Sequence, residues 1–228
     1  MYEEPYRWIE AVNNRRQYLD DQFKLGSPVV GLSYQDGILL LTFSRGTPKL
    51  YEIYDRIGLG GMGHPADLEK LRLSLLEMAH LEGFNRSPSD VTGSRLLKYG
   101  LAPTIKTAFE DIFKAPFIVK FLLAQLGVKP QADTFLTMNY DGSFEEVRGG
   151  AAIAATDAIQ TALIKQLQND VAATPVSFDA AVRIAAGWWA SASLAQQQLQ
   201  ADHDSSSSLH APESQPSAPS VPKLPQRE

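Results

Sequence analysis

The chain has 228 residues, a mass of 25.0 kDa, a formal net charge of −5 and no cysteine. Without cysteine there is no disulfide scaffold, thiolate zinc site, iron–sulfur centre or cysteine nucleophile, and a reducing compartment is compatible. The mildly acidic balance lacks the basic footprint of a nucleic-acid binder, and no apolar run approaches the roughly 20 residues that span a bilayer.

The start, Met1-Tyr2-Glu3-Glu4-Pro5, is acidic where a signal peptide is basic, so a cytoplasmic protein with neither membrane nor nucleic-acid partners is expected. Pro5 then suits the first turn of a helix, where its missing N–H costs nothing. Ile9, Val12, Arg16, Leu19 and Phe23 recur at helical spacing, with Trp8 beside them and Arg15, Asp20 and Asp21 on other faces. An amphipathic helix over 5–25 follows, packed on its own domain or against another subunit.

Val29 to Tyr34 and Ile38 to Phe43 flank Gln35-Asp36-Gly37, a hairpin signal. Ile38-Leu39-Leu40-Leu41 is apolar on both faces, which predicts a central strand covered on each side. Lys49 to Tyr54 and Arg56 to Met62 read as two more strands. Pro65 opens a helix carrying Leu68, Leu71, Leu75, Met78 and Leu81.

A second helix is expected over about Asp90 to Phe113, striped by Leu97, Leu101, Ile105, Phe109 and Ile112 and kinked or split by Pro103. Strands follow at Phe117 to Gln125, Thr134 to Tyr140 and Phe144 to Val147, the last two joined through Asp141-Gly142. Helices over Ala151 to Asn169 and Ser177 to Gln200 close the ordered part. From His203 to Glu228 the chain has seven Ser, five Pro and no aromatic residue, which predicts a disordered tail behind one 202-residue domain. Strands clustered in hairpins with paired helices give an α+β layered sandwich rather than a βαβ winding.

Little in this pattern carries chemistry. Gly58-Leu59-Gly60-Gly61-Met62-Gly63 has G-x-G-x-x-G spacing, yet it lies in a strand meander and the acidic residue about twenty on, Glu82, falls inside a helix. Close packing of small residues is the alternative to a nucleotide site. His203 and His210 lie in the tail, and His80 has no ligand partner at a metal spacing. Neither metal nor cofactor is expected. Asp55 and Asp67 have no carboxylate partner at short range. Lys49 opens an apolar strand, either solvated at its end or facing a cleft as a point charge for a carboxylate.

Lys49-Leu50-Tyr51-Glu52-Ile53-Tyr54-Asp55-Arg56-Ile57-Gly58, then Gly63 and a helix, resembles the third and fourth strands of proteasome subunits, closest to the α-type subunits of bacterial proteasomes. Asp90-Val91-Thr92-Gly93, Tyr140-Asp141-Gly142-Ser143 and Gly149-Gly150 leading into a helix resemble that group too. The resemblance runs from about Pro5 to Trp189. It implies a four-layer α-β-β-α sandwich of antiparallel sheets, the N-terminal-nucleophile hydrolase fold, with an added N-terminal helix.

In the family's β-type subunits a propeptide is removed and an N-terminal Thr attacks, supported by an Asp and a Lys. Ser27 falls at the nucleophile position after Gly26, and Lys49 at the lysine position, which leaves a self-processing peptidase as an alternative. Phe43 falls where the aspartate belongs, so the resemblance implies a silent α-type subunit. It also implies a heptameric α ring capping rings of β-type subunits, with Met1, Tyr2, Glu3, Glu4 and Pro5 as the gate. A ring activator, such as an ATPase, would dock its C-terminal carboxylate in a pocket matched here by Lys49, Gly26 and His64. The family ends its sheet with further strands after the last helix, whereas beyond Trp189 this sequence is rich in Ala, Ser and Gln, so either those strands are absent or the edge is closed another way.

Overall fold

The computed structural model describes residues 5–44, 46–111, 113–170 and 176–208. Helix α1 (Pro5–Phe23) leads into β1 (Val29–Tyr34), β2 (Gly37–Leu41), β3 (Leu50–Tyr54) and β4 (Ile57–Gly63). Helix α2 (Pro65–Asn85) follows, then a helical stretch made of α3 (Gly93–Arg95), a π-helical segment (Leu96–Leu101) and α4 (Ala102–Glu110). Strands β5 (Val119–Gln125), β6 (Thr134–Met138), β7 (Phe144–Arg148) and β8 (Gly150–Ile153) precede helices α5 (Asp157–Asp170) and α6 (Phe178–Ser208). Two antiparallel sheets result, one ordered β2-β1-β8 and the other β3-β4-β5-β6-β7.

Period-two alternation explains the layers. On β5, Val119, Phe121 and Leu123 face the helical layer with Leu71, Leu75, Leu97 and Ile105. Leu122 and Ala124 face inward to meet Phe135, Val29 and Ile153 between the sheets. On β1, Val30 and Leu32 point outward into the layer of α5 and α6, against Leu163, Ala185 and Trp188. The four-layer sandwich expected from the sequence is therefore the observed one.

Three expectations need correcting. The strand at Ile38–Leu41 is an edge strand, not a central one. Its faces are indeed covered, Ile38 and Leu40 by the inter-sheet core and Leu39 and Leu41 by the α6 layer. Two apolar faces report two covering layers and say nothing about lateral position. Next, the helix expected from Ala151 begins only at Asp157, and Gly150–Ile153 is β8, paired with β1 so that Val29 lies opposite Ile153. Alanine is the best helix former, but propensity amounts to a fraction of a kcal/mol per residue, and tertiary packing of Ala151 and Ala152 outweighs it. Thr156 Oγ1 then accepts the Ile159 N–H (3.4 Å) where α5 starts.

The expected helix over Asp90–Phe113 is split as foreseen, but by widening. Pro103 has no N–H to offer the preceding turn, and the chain takes a π-helical turn just before it. Leu97, Leu101, Ile105 and Phe109 are buried, while Ile112 lies outside the described residues. Helix α6 continues to Ser208, past His203 where the tail was placed; 209–228 and the gate residues Met1 to Glu4 lie outside the described residues.

Candidate functional site

The joint between α1 and β1 builds one wall of a cleft. The chain leaves α1 through a turn in which the Gly26 N–H donates to the Phe23 carbonyl (2.8 Å). A Cβ at Gly26 would stand 2.6 Å from Met62 Sδ, so this turn needs bare backbone against β4. Beside it, the Lys49 carbonyl accepts from the Gly61 N–H (2.9 Å), which fixes the start of β3. From the far side, α6 brings Trp189, Ser193 and Gln197. These elements enclose a cleft of about 780 Å³ whose lining includes Gly26, Ser27, Phe43 and Lys49.

Lys49 is the electrostatic feature of the cleft. It is half-buried, and its ammonium makes no ion pair or hydrogen bond among the described residues. Burial pulls its pKa below the ordinary lysine range, because the charged form loses water and gains no partner. Lys120 shows the contrast. It shares the inner face of β5 with Leu122 and is 2% exposed, yet its Nζ reaches the Ala154 and Ala155 carbonyls (3.3 and 3.4 Å) and Asp157 Oδ1 (3.4 Å). Lys120 is thus satisfied within the fold, whereas Lys49 is not.

Ser27 is engaged rather than poised. Its Oγ donates to the Phe43 carbonyl (2.7 Å) and accepts from Trp189 Nε1 (3.2 Å). The Phe43 ring tilts onto the Trp189 indole with centroids 4.4 Å apart, so an aromatic pair lies beside the Ser27 hydroxyl. Lys49 makes no hydrogen bond to Ser27.

His64 does not join Gly26 and Lys49 in the cleft lining; its neighbour Pro65 does. The exposed imidazole caps α2 instead, its Nδ1 accepting the Ala66 N–H (3.3 Å). The turn at His64 is clamped to β5 by two bonds, from the His64 N–H to the Ile118 carbonyl (2.8 Å) and from the Ile118 N–H to Asp67 Oδ2 (3.0 Å). The glycine run is packing. A Cβ at Gly60 would lie 2.6 Å from Val29, and one at Gly61 would lie 2.5 Å from Leu68. Gly63 has φ +136°, with the Ile118 carbonyl 1.9 Å from where a Cβ would sit. His80 packs edge-on to Tyr54, with centroids 5.4 Å apart.

Sequence reasoning missed the α6 side of the cleft: Trp189, Ser193, Gln196, Gln197 and Gln200. The signal was present as polar residues at 193, 196, 197 and 200, spaced three and four apart in an alanine-rich helix.

The family model described as proteasome subunit matches residues 23–185, which include Gly26, Ser27, Phe43 and Lys49. Among curated relatives, the "Proteasome subunit alpha" of Actinosynnema mirum is 33% identical over 158 residues, 66% of this chain and 59% of that protein. That of Streptomyces griseus is 30% identical over 163 residues, covering 71% and 60%. That of Acidothermus cellulolyticus is 30% identical over 158 residues, covering 68% and 67%. The chain thus spans about three fifths of the length of the first two relatives. The cleft residues from Trp189 onward lie beyond the stretch that the family model matches.

Proposed function

The chain belongs to the proteasome subunit family, and from that membership we propose that it is a non-catalytic α-type subunit of a bacterial core particle. It forms a heptameric ring that caps rings of β-type subunits, which carry the peptidase nucleophile. Residues 1–5 close the axial entrance. The cleft beside Lys49 takes the terminal carboxylate of a ring-shaped ATPase activator, and substrate proteins pass inward once it docks. The α-type names of the relatives support this reading, as does Phe43 at the position where a supporting carboxylate would be needed.

The observation that carries the docking role is the half-buried Lys49 ammonium, without a partner among the described residues, beside the bare backbone of Gly26. A carboxylate brought there gains a charge-assisted hydrogen bond in a partly desolvated setting, where such bonds are roughly twice as strong as neutral ones. In particles assembled with the β-type partner, Lys49→Ala is expected to leave the ring intact by native mass measurement. It should lower activator-stimulated peptide hydrolysis at least tenfold, to the basal rate. Stimulation equal to wild type would remove Lys49 from the docking site.

A further inference from the structure

We propose that α6 supplies a second half of this cleft, in which Gln197 and Ser193 hydrogen-bond the main chain of the docked tail while Lys49 holds its carboxylate. The inference rests on the docking role proposed above. It begins from an asymmetry among the α6 glutamines. Gln196 and Gln200 both donate from Nε2 to the Lys24 carbonyl, the latter at 2.5 Å. Two side chains on one carbonyl bolt α6 to the turn that carries Gly26, which fixes the register of every residue between them.

Gln197 sits inside that bolted stretch, lines the cleft, is exposed, and makes no hydrogen bond among the described residues. A primary amide presents a donor and an acceptor in one plane, the complement of a peptide group. Ser193, one helical turn earlier, adds a hydroxyl that donates or accepts. Along a helix the span from Ser193 to Gln200 is about 10 Å, which is the length of about three residues of extended chain. With Gln196 and Gln200 taken by the Lys24 carbonyl, the free pair Ser193 and Gln197 covers about 6 Å of that row, which matches about two residues of an extended peptide whose carboxylate rests on Lys49. Main-chain readout raises affinity for extended termini of many sequences, and side-chain preference is left to the rest of the cleft.

The test uses the assembled full-length particle and an array of labelled decapeptides with free carboxylates and randomised last three residues. Wild-type particles should capture a subset, and capture of each should vanish when its C-terminus is amidated. Gln197→Ala should weaken the captured peptides about fivefold, the effect of one neutral hydrogen bond. The near-isosteric Gln197→Glu should weaken them at least as much, since it loses the donor and adds a negative charge. N-methylation of the main-chain amide facing Gln197 should weaken wild-type binding by a similar factor and leave Gln197→Ala binding unchanged. Wild-type affinity in Gln197→Ala, or N-methylation effects that add to the mutation, would overturn the α6 role and leave Lys49 docking standing. Capture by neither wild-type nor variant particles would overturn both.

Discussion

At the scale of single residues, Lys49 links burial to docking through its proton. Burial favours the neutral amine in the empty cleft, and a docked carboxylate favours the ammonium, so the bound state holds the proton to higher pH than the free state. Affinity for a carboxylate-ended peptide is then complete below the lowered pKa of the empty cleft. It declines as pH rises through that value towards the pKa of the bound state. Fluorescence anisotropy across the alkaline range should show this decline starting below the pH at which an exposed lysine titrates. Lys49→Arg, charged throughout, should give a flat profile wherever it still binds. The place of Lys49 at a cleft was legible in the sequence because it is a lone charge at the start of an apolar strand. His64 lies outside the lining of this cleft, because adjacency along the chain does not fix which side of a turn a side chain occupies. Its imidazole accepts the Ala66 N–H instead.

At the scale of elements, α1 is held by its polar face as much as by its apolar one. Leu19 and Phe23 are fully buried between the sheets, each contributing roughly 1.5–3 kcal/mol. Arg15, on a face outside the apolar stripe, donates to the carbonyls of Ala108 (3.1 Å), Phe109 (2.8 Å), Asp111 (2.8 Å) and Lys114 (2.8 Å). Those carbonyls cluster at the end of α4, where a helix has acceptors without intrahelical donors and a partial negative charge. Nearby, Tyr140 stacks on Phe23 at 5.8 Å and donates its hydroxyl to Asp20 (2.8 Å), and burial together with that bond pushes the phenol pKa up. Arg15→Ala should cost about 2 kcal/mol in urea unfolding and raise amide exchange across α1. Arg15→Lys should not restore it, because a point charge cannot serve four carbonyls with a fork. Hydrophobic spacing marked where α1 begins and ends, but an arginine that caps a helix ninety residues away leaves no local trace. The same limit hid β8, whose alanines read as helix until β1 is beside them.

At the scale of the whole molecule, the layers were readable because strand faces and helix stripes are apolar wherever a layer covers them, so the sequence states how many surfaces must be covered. It does not state what covers the outer half of α1. Ile9 is 56% exposed and Trp8 43%, an apolar surface on a stripe whose other end is fully buried. A neighbouring subunit covers that surface in the ring proposed above. Ile9→Asp should therefore shift the particle from ring to single subunits in native mass spectra while the far-ultraviolet circular dichroism stays unchanged. Ring assembly at wild-type levels would place the subunit contact elsewhere. The three-stranded sheet has a further consequence. Its outer strand β2 offers Ile38-Leu39-Leu40-Leu41 without a charge or proline, and no strand pairs with its outer edge among the described residues. Bare, uncharged edges of this kind recruit any extended chain that meets them. A chain whose β2 edge stays uncovered is thus expected to seed aggregation, so its solubility depends on what shields that edge.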